Sequence, residues 1–224
     1  MLSIIMEKCE ELEMYPDPNT INCDFEKAVI NAIKITFGDD IKIQGCFYHL
    51  CQSTQRQVQK LGLETYYRED ETFSKFCAML DGLAFLPVND IETGLLYLKD
   101  IMPDKAKELV TYFENIYIGS TKRIGRKQRK ISALYSPSVW NVMETTLRDG
   151  NRTNNQCEGW NHRFSNLVRY NHPSIWTLIK KLRLEIAADE TKIAPRKLGT
   201  LDPPRKKPKY VKMQKNLSFF VLNI

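Results

Sequence analysis

Thr20-Ile-Asn-Cys-Asp24 and Ile41-Lys-Ile-Gln-Gly-Cys46 are the two short stretches on which the fold turns. Each has strand character and ends at a residue of chemical interest. Between them, Phe25, Ala28, Val29, Ala32, Ile33 and Thr36 recur at i, i+3, i+4, i+7, i+8 and i+11, the spacing of one helix face over residues 25–36. Gly38-Asp39-Asp40 interrupts that helix. Gly45-Cys46-Phe47-Tyr48-His49 leads into another, which runs to about Gly62. Residues 20–62 therefore read strand, helix, strand, helix, the alternation of an α/β layer. Asp24 stands at the carboxyl end of its strand, where open α/β sheets place their ligands.

Outward from this stretch the chain is helical. Residues 4–14 predict a short helix ended by Pro16 and Pro18. From Asp70 to Tyr117 the pattern is helices only. Phe73, Phe76, Cys77 and Leu80 mark one; Asn89-Asp-Ile-Glu92 has the form of a cap for the next; Leu109, Val110, Phe113, Ile116 and Tyr117 form the stripe of a third. Residues 119–139 read as an irregular linker. Asn151–Asn155 is capping chemistry ahead of a helix over 155–170, and a further helix fits 175–189. Beyond Pro195 the chain is rich in Pro, Lys and Arg, including Pro204-Arg-Lys-Lys-Pro-Lys209, which predicts disorder. Leu217–Ile224 is apolar with no partner assigned by the sequence. The expected division is an α/β core over 1–62, a helical insertion with its basic linker over 63–150, further core helices over 151–190 and a disordered basic tail over 191–224.

Composition narrows the class. The 224 residues carry 33 Lys+Arg against 27 Asp+Glu, and 42% are apolar, an ordinary globular balance. No apolar run approaches the ~18 residues of a membrane span. The first six residues are too short for a signal core. Six cysteines, widely spread and without a CxxC pair, argue against a disulfide scaffold. These features predict a nuclear or cytoplasmic protein. The charge is divided unevenly: residues 1–119 have 11 basic and 20 acidic side chains, residues 120–224 have 22 and 7. A polyanion partner for the second half follows. Lys122, Arg123, Arg126, Lys127, Arg129 and Lys130 lie within nine residues.

Three features could carry chemistry. Asp24 is one. Cys46-x-x-His49 is the second; it supplies two of the four ligands of a structural zinc site, with His162, His172, Cys51 and Cys157 as completions. The spacing alone favours a buried cysteine and a hydrogen-bonded histidine over a closed zinc site. The third is Asn154-Asn155-x-x-Glu158-Gly159-Trp160-Asn161-His162. On a helix, Asn154, Asn155, Glu158 and His162 share a face, because positions three and four apart are neighbours. Asp24 and Glu158 are ligands of the kind Mg²⁺ prefers. Two such ions about 3.5–4 Å apart can drive phosphoryl transfer.

Asp24-Phe25-Glu26-Lys27-Ala28, Gly45-Cys46-Phe47-Tyr48-His49, Leu83-Ala-Phe-Leu-Pro87, Trp140-Asn141, Arg152-Thr-Asn-Asn-x-x-Glu158-Gly-Trp-Asn-His162 and His172-Pro173-x-Ile-Trp176 occur in this order. The set resembles the catalytic domain of Mutator-like element (MULE) transposases over most of residues 5–190. The resemblance implies an RNase H-like α/β core with a helical insertion, nuclear DNA cleavage and strand transfer, Mg²⁺ or Mn²⁺, and a dimer that pairs two element ends. It makes Asp24 the second and Glu158 the third acid of a DDE triad, and it matches Cys46 and His49 to a CxxH signature. Only 23 residues precede Asp24, and their acids, Glu7, Glu10, Glu11, Glu13 and Asp17, fall on a helix and a Pro-rich loop. The first carboxylate and about three strands are therefore expected to be missing, and the chain to be a remnant or fragment without activity of its own. The other expectation is a non-catalytic nucleic-acid-binding protein, with phosphate contacts from the 122–130 cluster and the basic tail from Lys192 to Lys215; Asn154, Asn155, His162 and Arg163 are further DNA-binding candidates.

Overall fold

A computed structural model describes residues 1–124, 127–197, 199 and 207–222; of 121–124, 127, 128, 130, 196 and 197 it describes the backbone alone. The chain divides into two compact units, Met1–Thr153 with Gln214–Ile224, and Asn154–Met213.

In the first unit, helix α1 (Leu2–Glu11) precedes strand β1 (Thr20–Cys23), helix α2 (Lys27–Phe37), strand β2 (Lys42–Gly45) and helix α3 (Phe47–Lys60). β1 and β2 pair in parallel, with Thr20 opposite Lys42 and Cys23 opposite Gly45. A parallel pair needs a crossover, and α2 supplies it. Its Ile30 and Ile33 are buried, and the chain leaves it through Gly38 at φ 90°, a conformation that favours glycine. The strand–helix–strand–helix reading of 20–62 therefore holds, as a helix-rich α/β arrangement on a two-stranded parallel sheet.

Helices α4 (Glu64–Glu69), α5 (Glu71–Gly82), α6 (Ile91–Asp100) and α7 (Lys107–Phe113) follow. Asp70 caps α5, its carboxylate accepting from the amides of Thr72 and Phe73 at 2.9 and 3.1 Å. The expected apolar faces are the buried ones: Phe73, Phe76, Cys77 and Leu80 on α5, Leu109, Val110 and Phe113 on α7. A π-turn, Glu114–Ile118, carries α7 onward and buries Tyr117.

Residues 119–139 are not an irregular linker. Strands β3 (Ser120–Ile124) and β4 (Lys127–Ile131) form an antiparallel hairpin, with Lys122 opposite Arg129 and Thr121 opposite Lys130. Backbone pairing holds it, with Gly119 at φ 98° where an added Cβ would meet the Ile131 carbonyl at 2.7 Å. Short helices α8 (Pro137–Trp140) and α9 (Met143–Leu147) complete the run. Trp140 is fully buried, its indole N–H donating to the Tyr117 carbonyl at 2.7 Å. The buried Gln44 amide donates to the Asn141 carbonyl at 3.1 Å and accepts from Thr145 at 3.2 Å, which locks β2 to this segment.

The second unit holds α10 (Asn155–Val168) and α11 (Ile175–Lys197). Arg163 Nε donates to Glu185 at 2.8 Å, so the buried Glu185 carboxylate is paired. Trp160 and Phe164 stack at 5.0 Å, with Trp160 exposed and Val168 buried.

The disordered tail expected over 191–224 is also corrected. α11 reaches Lys197, and Pro208–Leu222 is a helix, α12. Its residues from Gln214 onward belong to the first unit. Val221 is buried there and Leu217 packs against the same core, one turn apart. Gln214 donates to the Thr146 carbonyl at 2.6 Å. Up to Leu222 the apolar end of the chain is thus a helix anchored by its buried face; residues 201–206, including Pro204, Arg205 and Lys206 of the Pro204–Lys209 run, lie outside the described residues.

Candidate functional site

The parallel register builds the site. Because Cys23 stands opposite Gly45, the next residues, Asp24 and Cys46, leave the carboxyl ends of adjacent strands side by side. The Cys46 amide donates to the Cys23 carbonyl at 3.0 Å and extends the ladder by one step. α3 begins at Phe47, so His49 lies in its first turn and folds back over the strand ends. His49 Nδ1 is 2.9 Å from Asp24 Oδ1. One ligand atom from each of Asp24, Cys46 and His49 lies within 4.8 Å of the others, the only such group of three among the described residues. Cys46 is buried; Asp24 and His49 are partly exposed.

Packing holds these positions. Gly45 leaves room for Phe25, whose ring would lie 2.6 Å from an added Cβ. Phe25 is itself wedged edge-on against Tyr117 and Tyr135 at 5.6 and 5.1 Å, and the Tyr135 hydroxyl donates to its carbonyl. Burial, and then the neighbouring Asp24, pushes the Cys23 thiol up to about 11.

A cleft of about 410 Å³ opens beside the group, lined by Asp24, Glu26, His49, Ser53, Arg56 and Tyr112 among others. The Tyr117 hydroxyl donates to Ser53 Oγ at 2.8 Å, and Ser53 Oγ lies 2.8 Å from the Tyr112 hydroxyl, so the wall is fixed by a hydroxyl chain. Ser53 and Arg56 were not singled out from the sequence. The available signal was their spacing from His49, four and seven residues on, which places all three on one face of α3.

The carbonyl of Arg152 accepts from the Phe47 amide at 2.9 Å, a contact within the first unit. Glu158 lies in the first turn of α10, in the second unit. Asn154 is the N-cap residue there; Asn155 and His162 are exposed, and His162 Nε2 is 3.1 Å from the Asn166 amide nitrogen. Arg163 is held by Glu185 and lies 3.7 Å from Asp189. Of the basic cluster, Arg126 lies outside the described residues, as do the side chains of Lys122, Arg123, Lys127 and Lys130; Arg129 is exposed.

The donor set can be tested against the metals that the sequence implied. Mg²⁺ takes oxygen ligands in near-octahedral geometry, and thiolate selects softer ions. The group at Asp24 offers one oxygen, one nitrogen and one sulfur. This set is softer than the all-oxygen environment of Mg²⁺ or Mn²⁺, and it does not include Glu158, the other carboxylate expected to hold those ions. No helix among the described residues is long and apolar enough to cross a membrane. Compared with protein-family models, curated proteins and solved structures, the chain matches none.

Proposed function

We propose that this chain is a nuclear DNA-binding derivative of a DDE-type, Mutator-like transposase catalytic domain. The observation that carries the proposal is the placement of Asp24. It follows the first of two parallel strands joined by a crossover helix, and the helix after the second strand returns His49 of the Cys-x-x-His segment to within 2.9 Å of it. Sequence motifs more than twenty residues apart thus converge on the strand ends, as expected of part of an RNase H-like core. In this reading Glu158, on α10, descends from the third acid of the triad.

The donor set at Asp24 contains a single carboxylate, which is poorly suited to holding two hard cations about 3.5–4 Å apart. Binding without strand cleavage is therefore the expected behaviour. The β3–β4 hairpin supports the binding half of the proposal, since its register sets Lys122 opposite Arg129. The two strands carry five of the six basic residues of the cluster, a composition suited to a polyanion. A two-stranded ribbon also fits the major groove of B-DNA.

The test is labelled duplex DNA with wild type and Glu158→Gln, in Mg²⁺ and in Mn²⁺. Six phosphate contacts predict that affinity falls about 10³-fold between about 50 and 200 mM salt, with no nicked product. Affinity that is flat over this range overturns the binding role. Nicking that disappears in Glu158→Gln shows an active transposase and overturns the loss of cleavage.

A further inference from the structure

We propose that Asp24, Cys46 and His49 are the three protein ligands of a zinc-type divalent cation whose fourth coordination position opens into the 410 Å³ cleft. The proposal concerns a metal and needs no DNA, so it stands apart from the reading above. Nothing in the spacing of Cys46 and His49 names their third partner; the parallel register does, by bringing Asp24 beside Cys46.

Tetrahedral zinc binds carboxylate oxygen and imidazole nitrogen at about 2.0–2.1 Å and thiolate sulfur at about 2.3 Å, which sets ligand atoms about 3.3–3.7 Å apart. Here the Asp24–His49 edge is 2.9 Å and no edge exceeds 4.8 Å. Adjustments of about 1 Å or less, within reach of side-chain torsions, close the coordination sphere. One carboxylate, one imidazole and one thiolate is the borderline-soft set that zinc and cobalt accept and magnesium does not. The backbone is already in position: the Cys46 amide is tied to β1 at 3.0 Å, and the Glu26 amide turns back to the Asp24 carbonyl at 2.8 Å.

Two features point to an open rather than a closed site. Three protein ligands with a fourth position left to solvent is the arrangement of catalytic zinc sites. Asp24 and His49 both line the cleft, while Cys46 lies buried behind them. The cleft wall carries the carboxylates of Asp24 and Glu26 against the single guanidinium of Arg56, a balance that favours a cation.

The experiment uses the full 224-residue chain, stripped with chelator and titrated with Co²⁺ as the optical probe. The expected result is one equivalent bound, with thiolate-to-cobalt absorption in the near ultraviolet and the intense visible bands of a tetrahedral ion. Zn²⁺ displaces it; a hundredfold excess of Mg²⁺ does not. Added small thiol changes the visible bands by entering the fourth position. Cys46→Ser removes the thiolate absorption. Cys46 is buried and its variant could unfold, so Asp24→Asn and His49→Gln, on partly exposed side chains, decide independently. Each keeps the thiolate band and weakens Co²⁺ more than about tenfold. The proposal is overturned by the absence of a thiolate band in wild type. It is equally overturned by a band that survives Cys46→Ser, or by affinity that neither Asp24→Asn nor His49→Gln changes. A spectrum indifferent to added thiol overturns the open position.

Discussion

Helix α3 contributes to two clusters of cysteine and aspartate, and they have opposite characters. At its first turn, Cys46 and His49 meet Asp24 beside a cleft. Further along, Cys51 and Thr54 meet Asp81 and Cys77 of α5. There Thr54 Oγ1 donates to Asp81 Oδ1 at 2.7 Å and the Cys51 thiol hydrogen-bonds the same carboxyl. Burial, followed by the Asp81 charge, pushes both thiols upward, Cys77 to about 12. Burial likewise pushes Asp81 up to about 6, against the hydrogen bonds from Thr54 and Cys51 that lower it. The inner cluster satisfies itself with its own protons and needs no ion. The outer one gathers three ligand atoms at a solvent-facing edge. The same residue types make a structural network in one place and a candidate metal site in the other, and solvent access with strand register makes the difference.

The comparison is sharpened most by neutralising the inner carboxyl. The folded chain holds the Asp81 proton up to about pH 6, whereas an ordinary aspartate releases it near 3.8. Folding is therefore favoured by this group at low pH, and that contribution is lost as pH rises from about 4 through 6. Asp81→Asn removes the titration while its amide oxygen still accepts from Thr54. At pH 7–8 the variant is expected to be more stable than wild type by on the order of 2 kcal/mol, with the gain vanishing near pH 4. Urea unfolding of both proteins across this range measures the difference curve. A difference that is flat with pH would mean that Asp81 is not a desolvated carboxyl, and the contrast between the clusters would fail. Co²⁺ binding at the strand ends is expected to be unchanged.

The converse perturbation is Gly45→Ala. Its Cβ would lie 2.6 Å from the Phe25 ring, and Phe25 cannot withdraw freely because Tyr117 and Tyr135 pack against it. Overpacking of this kind costs about 1–2 kcal/mol. Phe25 follows Asp24 directly, so the same shift displaces the outer carboxylate. A loss of stability together with weaker Co²⁺ binding is the expected outcome. Unchanged stability would show that the strand ends are not held by this packing.

The outer cluster was partly legible in the sequence because each of its residues follows a local signal. Asp24 and Cys46 close two short strand-like runs, and a histidine at the third position of a helix leans back toward the strand ends. The partnership of Asp24 with Cys46 was not legible, because it depends on parallel register, which couples positions about twenty residues apart. The inner cluster was missed altogether: Asp81 lies at the polar end of an apolar helix and carries no mark of its burial. The β3–β4 hairpin was misread because Ser-Thr-Lys-Arg-Ile and Lys-Gln-Arg-Lys-Ile present no apolar face, and backbone pairing rather than core burial defines it. The terminal helix was hidden by the Pro- and Lys-rich composition ahead of it. Its signal, Leu217 and Val221 one turn apart, was present in residues left without a role.

The smallest expected effect separates packing from surface charge at the same strand. Lys42, the first residue of β2, lies 2.6 Å from Glu144 of α9, and both side chains are substantially exposed. The hydrogen bond and charge of Lys42, with a further contribution from Arg148, hold the Glu144 carboxyl below its ordinary range. That stabilising contribution is present above the ordinary carboxylate range and is lost as pH falls through it. Exposed pairs of this kind contribute a few tenths of a kcal/mol, less at high salt. Lys42→Ala is therefore expected to shift the unfolding midpoint barely measurably at neutral pH, and not at all at about 1 M salt. Its backbone step in the β1–β2 ladder is retained, so Co²⁺ affinity should match wild type. If Lys42→Ala weakened the metal as much as Gly45→Ala, the strand would be positioned by charge on its surface rather than by Phe25 and Gln44 packed against it. Equal metal affinity alongside a Gly45→Ala defect assigns the geometry of the outer cluster to the packing at the strand ends.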